Sequence, residues 1–310
     1  MEKSAGIRTT MGLREWAMLS LLSIVWGGTY MFVGIAVDSL PPLTIVALRV
    51  SIAALAFWTY VLAARIPMPK SPAIWRDMFI QGVTNNALPF SLLVWGQTAI
   101  ASGLAAILNA TTPLFTVLIA AALLPDERIT RLKSLGVLIG FGGAVLVIGP
   151  EQLLGLGMDV LPQLACIAAG LFYAVAVVFG RRFKEQGVPP VVVSTGMLTA
   201  AAALMIPAAL IVERPWRYAF PEPAVWFSIL GLALLSTVFA YFLYFSLLSS
   251  SGATNTTLVT FLIPVSAILL GALVLDERLR LLDYAGMAVI SIGLLLVDGR
   301  LLRRLEFGRR

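Results

Sequence analysis

Residues 78–125 read MFIQGVTNNALPFSLLVWGQTAIASGLAAILNATTPLFTVLIAAALLP, and no charged side chain occurs in these 48 positions. A helix needs about 20 mostly apolar residues to cross the hydrocarbon core of a bilayer, within a range of about 17–25. The stretch is too long for one crossing, and the small polar residues Ala101-Ser102-Gly103 supply a break near its middle. It therefore predicts two membrane-spanning helices. The apolar character is continuous. The strands of a membrane barrel would alternate apolar and polar residues instead.

Working outward from this stretch, the remaining uncharged windows fall into the same size class. Trp16–Val37 is uninterrupted, and Leu43–Ala64 holds only Arg49. Ser134–Gly149, Val160–Gly180 and Val188–Val212 follow. Pro223–Leu275 is again too long for one helix and breaks at Ser249-Ser250-Ser251-Gly252; Leu281–Val297 is the last, with Asp283 near its edge. The sum is an all-α integral membrane protein of ten transmembrane helices.

Composition agrees: 59% of residues are hydrophobic and 12% charged, against about 45–50% and about 25% in soluble domains. Lys3, Arg8 and Arg14 precede an apolar run longer than the 7–15 residues of a signal core, so residues 16–37 are expected to be a permanent span. The net charge of +6 lies between the apolar windows, which points to the membrane surface and not to nucleic acid. With a cytoplasmic amino terminus, 17 Lys and Arg lie inside and 4 outside, while acidic residues divide evenly. Positive charge sets orientation, so both termini are expected in the cytoplasm. One cysteine, Cys166, and no histidine leave no disulfide framework and no metal-ligand spacing. Cys166 reads as a small buried hydrophobe.

The chain repeats itself. Asp126-Glu127-Arg128 follows the fourth span and Asp276-Glu277-Arg278 the ninth, an offset of 150. Gly136 and Gly143 follow the first acidic pair at the spacing with which Gly286 and Gly293 follow the second. Pro41-Pro42 matches Pro189-Pro190 at 148, Trp75 matches Trp226 at 151, and Gly103 matches Gly252 at 149. Each unit holds five spans, an odd number, so the second copy must be inverted relative to the first. Inverted repeats typify secondary transporters, with substrate near the midplane where the repeats meet. The expected division is a tail at 1–15, repeats at 16–150 and 151–298, and a basic tail at 299–310.

Two five-helix repeats in about 300 residues resemble the drug/metabolite transporter superfamily, in particular its EamA-type members. The likeness is carried by Trp26-Gly27-Gly28, by Pro41-Pro42 ahead of Arg49, by the acidic pairs Asp126-Glu127 and Asp276-Glu277, and by the glycine-spaced fifth and tenth spans. The resemblance implies export or exchange of amino acids, other metabolites or toxic compounds. It also implies a central cavity lined mainly by spans one, three, four, six, eight and nine. One departure stands out: Asn109 lies four residues before Pro113, whereas Asn255 lies nine before Pro264.

Candidate substrate-binding residues are the polar and aromatic side chains inside the spans. Arg49 lies about seven residues, roughly 10 Å, beyond Pro42. A charge there costs at least about 2.5 kcal/mol near the bilayer centre, less near the interface, and should face protein or a wet cavity. It is read either as a contact for an anionic or zwitterionic substrate or as a structural arginine held by carbonyls. Asn85 and Asn86 precede Pro89, Asn109-Ala110-Thr111-Thr112 precede Pro113, and Asn255-Thr256-Thr257 precede Pro264. Such clusters can re-satisfy the carbonyls that a proline frees, or line the cavity. Trp26, Tyr30, Phe90, Tyr173 and Tyr241 can flank an aromatic or apolar solute. Trp16, Trp58, Tyr60, Trp75, Trp216 and Trp226 fit interfacial belts. Gly136-x-x-x-Gly140 reads as close packing within its repeat, with a dimer contact as the alternative. The acidic pairs read as solvated helix ends, with a gate across the cavity mouth as the alternative.

The expected function is a secondary transporter in the cell inner membrane that exports or exchanges small organic metabolites, amino acids or related compounds, by alternating access. Carriage of nucleotide-sugar or lipid-linked substrates, and a non-transport membrane scaffold, are the alternatives. The expected partners are a small-molecule substrate and the lipid bilayer, with no nucleic acid, in a monomer or homodimer. Neither cofactor nor metal is expected, and no catalytic constellation marks an enzyme. No phosphate-cradling loop suggests ATP drive. Without an acid deep in a span, exchange or potential-driven uniport is expected over proton coupling.

Overall fold

Helix starts are written into this chain as prolines. Pro42, Pro72, Pro190 and Pro223 each occupy the first helical position, where the missing N–H is no loss. The computed structural model describes residues 11–124, 130–148 and 160–298; Asp126, Glu127, Arg128 and the basic tail 299–310 lie outside the described residues.

The described residues form ten helical spans. α1 is Leu13–Val37 and α2 Pro42–Ala63. α3 runs through Pro72–Gly82, a π-helical segment Val83–Ala87, and Leu88–Gly96. α4 is split into Ser102–Asn109 and Thr112–Leu123. α5 is Arg131–Ile148, α6 Leu161–Glu185, and α7 Pro190–Ala208 continued as a π-helix over Ala209–Glu213. α8 comprises Pro223–Leu230, a π-helix Gly231–Phe239, and Ala240–Thr256 with a kink at Gly252, whose φ is 76°. α9 is Val259–Val274 and α10 Leu281–Asp298. Six of these stretches are long and apolar enough to cross a membrane by themselves, and the shorter α9 and α10 are apolar too. Leu55, Leu62, Leu138, Ile211 and Leu273 stand on the outside of the bundle, which only lipid makes comfortable.

The described loops that follow odd-numbered helices gather at one end of the bundle, the odd face, and those after even-numbered helices at the other, the even face. Arg280, just before α10, places Nη2 2.9 Å from the Val147 carbonyl in the last turn of α5. Arg131 begins α5, so the two positions mark opposite ends of that helix, about 24 Å apart. The starts of α5 and α10 therefore lie on opposite faces, as an inverted repeat requires.

Packing repeats the inversion. α1 lies on α9 and α6 on α4, α2 pairs with α7, and α5 pairs with α10. At the α1–α9 contact a Cβ added to Gly27 would stand 2.6 Å from Ser266 Cβ, and Ser23 Oγ lies 2.7 Å from Ser266 Oγ. The span-five glycines correct a sequence expectation. Gly136 and Gly143 do not pack within their own repeat; Cβ atoms there would meet the Gly293 carbonyl at 2.7 Å and the Gly286 carbonyl at 2.9 Å. Glycine faces on α5 and α10 close the seam between the repeats. Gly140 also faces Leu114 of α4.

Two acids at helix edges are fixed caps on the odd face. Glu213, ending α7, accepts the N–H groups of Leu43 at 2.8 Å and Thr44 at 2.7 Å, and the Thr44 hydroxyl at 2.8 Å. Glu277, read from sequence as a solvated end, accepts the N–H groups of Ser102 at 2.7 Å and Gly103 at 3.2 Å. Each carboxylate thus satisfies orphan donors at a helix start in the other repeat, where the macrodipole favours negative charge. A third acid is buried where none was expected: Asp77 belongs to α3 and is 2% exposed. It accepts Arg182 Nη1 at 3.1 Å and Gln186 Nε2 at 3.0 Å, tying α3 to α6 at the even face.

Candidate functional site

Arg49 sits two turns into α2 and is 4% exposed. Its Nε donates to Thr237 Oγ1 of α8 at 3.0 Å, and its guanidinium carbon lies 3.7 Å from the centre of the Phe90 ring of α3. Among the described residues it makes no other hydrogen bond and no ion pair. A guanidinium carries five N–H donors, so four remain uncommitted beside an aromatic face. The phenols of Tyr173, Tyr241 and Tyr30 lie within electrostatic reach of this charge.

The surrounding polar groups reach Arg49 from five further helices, three of which, α3, α4 and α8, carry local irregularities of the backbone. In α3, Pro89 has no N–H to give, and the π-helical segment Val83–Ala87 precedes it. That segment carries Asn85 and Asn86, whose Nδ2 atoms donate to Tyr241 Oη of α8 at 3.2 and 3.0 Å. α8 contributes Thr237 from its own π-helix, Gly231–Phe239, one turn before Tyr241. α4 breaks ahead of Pro113. The Thr111 and Thr112 hydroxyls each donate at 2.7 Å to the carbonyls of Leu108 and Asn109, taking up backbone acceptors of the broken turn. Asn109 Nδ2 is then free to donate to Tyr30 Oη of α1 at 2.9 Å. α6 supplies Tyr173, whose ring meets Phe90 at 6.5 Å and which packs against both large hydrophobic clusters.

Two groups in this set lack partners in the structure: Asn86 Oδ1 and Asn109 Oδ1 are buried and unbonded. An uncommitted cation and uncommitted amide oxygens, walled by aromatic rings, can hold a molecule that carries both negative and positive polar groups. An unpaired buried guanidinium also costs several kcal/mol of desolvation.

Of the ten sequence candidates, eight converge here: Tyr30, Arg49, Asn85, Asn86, Phe90, Asn109, Tyr173 and Tyr241. Trp26 lies further along an aromatic series, 5.6 Å from Tyr244, which is 5.5 Å from Phe245, itself 6.3 Å from Tyr241. Asn255 lies apart, past the α8 kink, with Nδ2 donating to Ser251 O at 3.0 Å. Thr237 escaped sequence reading. Its only signal is a hydroxyl in a window otherwise rich in Leu and Phe. Trp58, expected in an interfacial belt, donates its indole N–H to Thr199 of α7 at 2.9 Å.

Known proteins place this architecture. The EamA-like transporter family matches residues 14–149 and again residues 161–298. An uncharacterized transporter of Archaeoglobus fulgidus is 27% identical over 92% of this chain and 99% of its own length. The uncharacterized inner membrane transporter YedA of Escherichia coli strain K12 is 26% identical over 90% of this chain and 89% of its own. A probable amino-acid metabolite efflux pump of the same organism is 23% identical over 92% and 94%. One crystal structure shares the fold with a TM-score of 0.65 at 21% identity, covering 93% of this chain and 98% of that one. Ten helices in two inverted repeats, each repeat matched separately, make this chain a member of the EamA-like transporter family, a multi-pass membrane transporter.

Proposed function

We propose that this transporter exports or exchanges small metabolites carrying a carboxylate, amino acids or close relatives, by alternating access. The observation that carries the reading is the buried Arg49 guanidinium without a carboxylate partner. A substrate carboxylate completes its hydrogen bonds, and a charge-assisted bond of this kind contributes about 1.5–3 kcal/mol. The unbonded oxygens of Asn86 and Asn109 accept the ammonium group of a zwitterion. The even face is taken as cytoplasmic, from the excess of Lys and Arg in its loops. Similarity to a probable amino-acid metabolite efflux pump supports the substrate class. The buried acid Asp77 is engaged by Arg182 and Gln186, which favours a cycle driven by exchange or by membrane potential over one driven by protons.

The test is counterflow in proteoliposomes with amino acids and with the matching decarboxylated amines. Amino acids should exchange and the amines should not, with no dependence on an imposed pH gradient. Equal transport of amine and amino acid would refute the carboxylate anchor.

A further inference from the structure

On the odd face, α2, α7 and the segment 214–222 that leads into α8 enclose a cavity of about 590 Å3. That volume lies within the range, about 300–1,000 Å3, of sites that hold a drug-sized ligand. It is separate from the Arg49 site and opens sideways. Its wall includes Leu48, Ile206, Leu210, Trp216 and Phe220, and the last four lie on the outside of the bundle, where lipid meets the protein. The wall is almost wholly apolar and holds no charge, so a soluble zwitterion gains nothing there.

Three polar features surround it at the membrane boundary. The indole Nε1 of Trp226, a lining residue three positions into α8, is buried and donates to nothing. Arg214 and Arg217 flank the cavity on the 214–222 segment; both are exposed, and among the described residues neither side chain makes a hydrogen bond or an ion pair. An apolar slot open to the bilayer, a hydrogen-bond donor about one turn below the surface, and two cations at the surface form a graded series. A phosphoglycerolipid has the complementary series: an acyl chain, ester carbonyl oxygens and a phosphate.

We infer that this groove is a binding site for one anionic phosphoglycerolipid of the leaflet at the odd face. Its acyl chain lies between α2 and α7, an ester carbonyl accepts from Trp226, and its phosphate meets Arg214 and Arg217. Because α2 and α7 belong to different repeats, the bound lipid spans the seam between them. The inference is independent of the solute that the Arg49 site takes.

The experiment is native mass spectrometry of the delipidated full chain titrated with phosphatidylglycerol, with phosphatidylcholine and with inorganic phosphate. One phosphatidylglycerol should be retained at least tenfold more tightly than phosphatidylcholine, and inorganic phosphate should not displace it. The double variant Arg214→Ala/Arg217→Ala should lose that preference, Trp226→Phe should weaken binding about threefold, and Leu210→Trp, which fills the slot, should abolish it. Thermal unfolding in detergent without lipid should leave all three variants close to the parent, separating loss of binding from loss of fold. Equal retention of phosphatidylglycerol by parent and variants, displacement by free phosphate, or a dimer forming in place of the lipid-bound monomer would overturn the assignment.

Discussion

The two repeats share a backbone plan and differ in what they place at the centre. Pro42 and Pro190 start α2 and α7, and counting from them sets Arg49 opposite Met197. Both are buried, at 4% exposure each. One carries an uncommitted charge; the other is a thioether whose sulfur lies 3.9 Å from Asn85 Nδ2. The π-helical segments of α3 and α8 recur in both halves, but the first presents two asparagines and the second Ser236 and Thr237. Phe90 and Tyr241 correspond at the Trp75–Trp226 offset of 151; the first lies against the guanidinium and the second accepts the amides. A symmetric frame offers two equivalent arrangements, open to one side or the other. The asymmetric side chains give that frame a single polar site with a direction.

The sharpest way to break this comparison is to move the charge. Arg49→Met should reduce exchange of the substrate about 10–100-fold, the loss of one charge-assisted anchor at about 1.4 kcal/mol per factor of ten. Adding Met197→Arg should not restore it, because Met197 lies against Asn85 whereas the groups that hold Arg49 are Phe90 and Thr237. Recovery in the double variant, measured by counterflow at matched protein levels, would mean that the repeats are functionally interchangeable.

The seam between repeats can be tested against the lipid face of the same helix. Gly143→Leu forces a side chain into the α10 backbone and should destabilise the bundle by about 1–3 kcal/mol, as overpacking does. Gly142→Leu, where no atom lies within 4 Å of the added carbon, should stay within about 0.5 kcal/mol of the parent. Thermal unfolding in detergent distinguishes them, and similar losses would mean that α5 does not meet α10 through this face.

The caps and tyrosines refine the picture further. Glu277→Gln and Glu213→Gln each remove a carboxylate from a helix start and should each cost about 0.5–2 kcal/mol. Tyr30→Phe leaves Asn109 Nδ2 without its acceptor and should cost about 1–3 kcal/mol. Tyr173→Phe should cost less than about 0.5 kcal/mol, since among the described residues its hydroxyl makes no hydrogen bond. A larger loss for Tyr173→Phe than for Tyr30→Phe would reverse the roles assigned to the two phenols.

Sequence and structure diverge where distant residues meet. Glu277 reads as a solvated helix end and Asp77 falls just outside the uncharged window that begins at Met78, because hydropathy windows stop at charged residues. Both side chains are satisfied by partners more than 100 positions away, which no local pattern encodes. The glycine stripes of α5 and α10 were legible as close-packing faces, but which helix each face meets depends on how the repeats dock. Asn109 and Asn255 both precede breaks in their helices, yet the break in α4 adjoins Pro113 whereas that ahead of α9 falls well before Pro264. Only the first asparagine is thereby turned toward the Arg49 group.

Amino-acid order alone determined that the chain lives in lipid, crosses it ten times and inverts its second half, because hydrocarbon tolerates no unpaired backbone and no stray charge. It also singled out Arg49 as a buried charge needing a reason. Tertiary structure decided that the cation is left without a carboxylate, which amides and phenols surround it, and which helix ends the acids cap. Those outcomes follow from side-chain directions at π-helical and broken segments, where a shift of one residue turns a polar group from lipid to cavity.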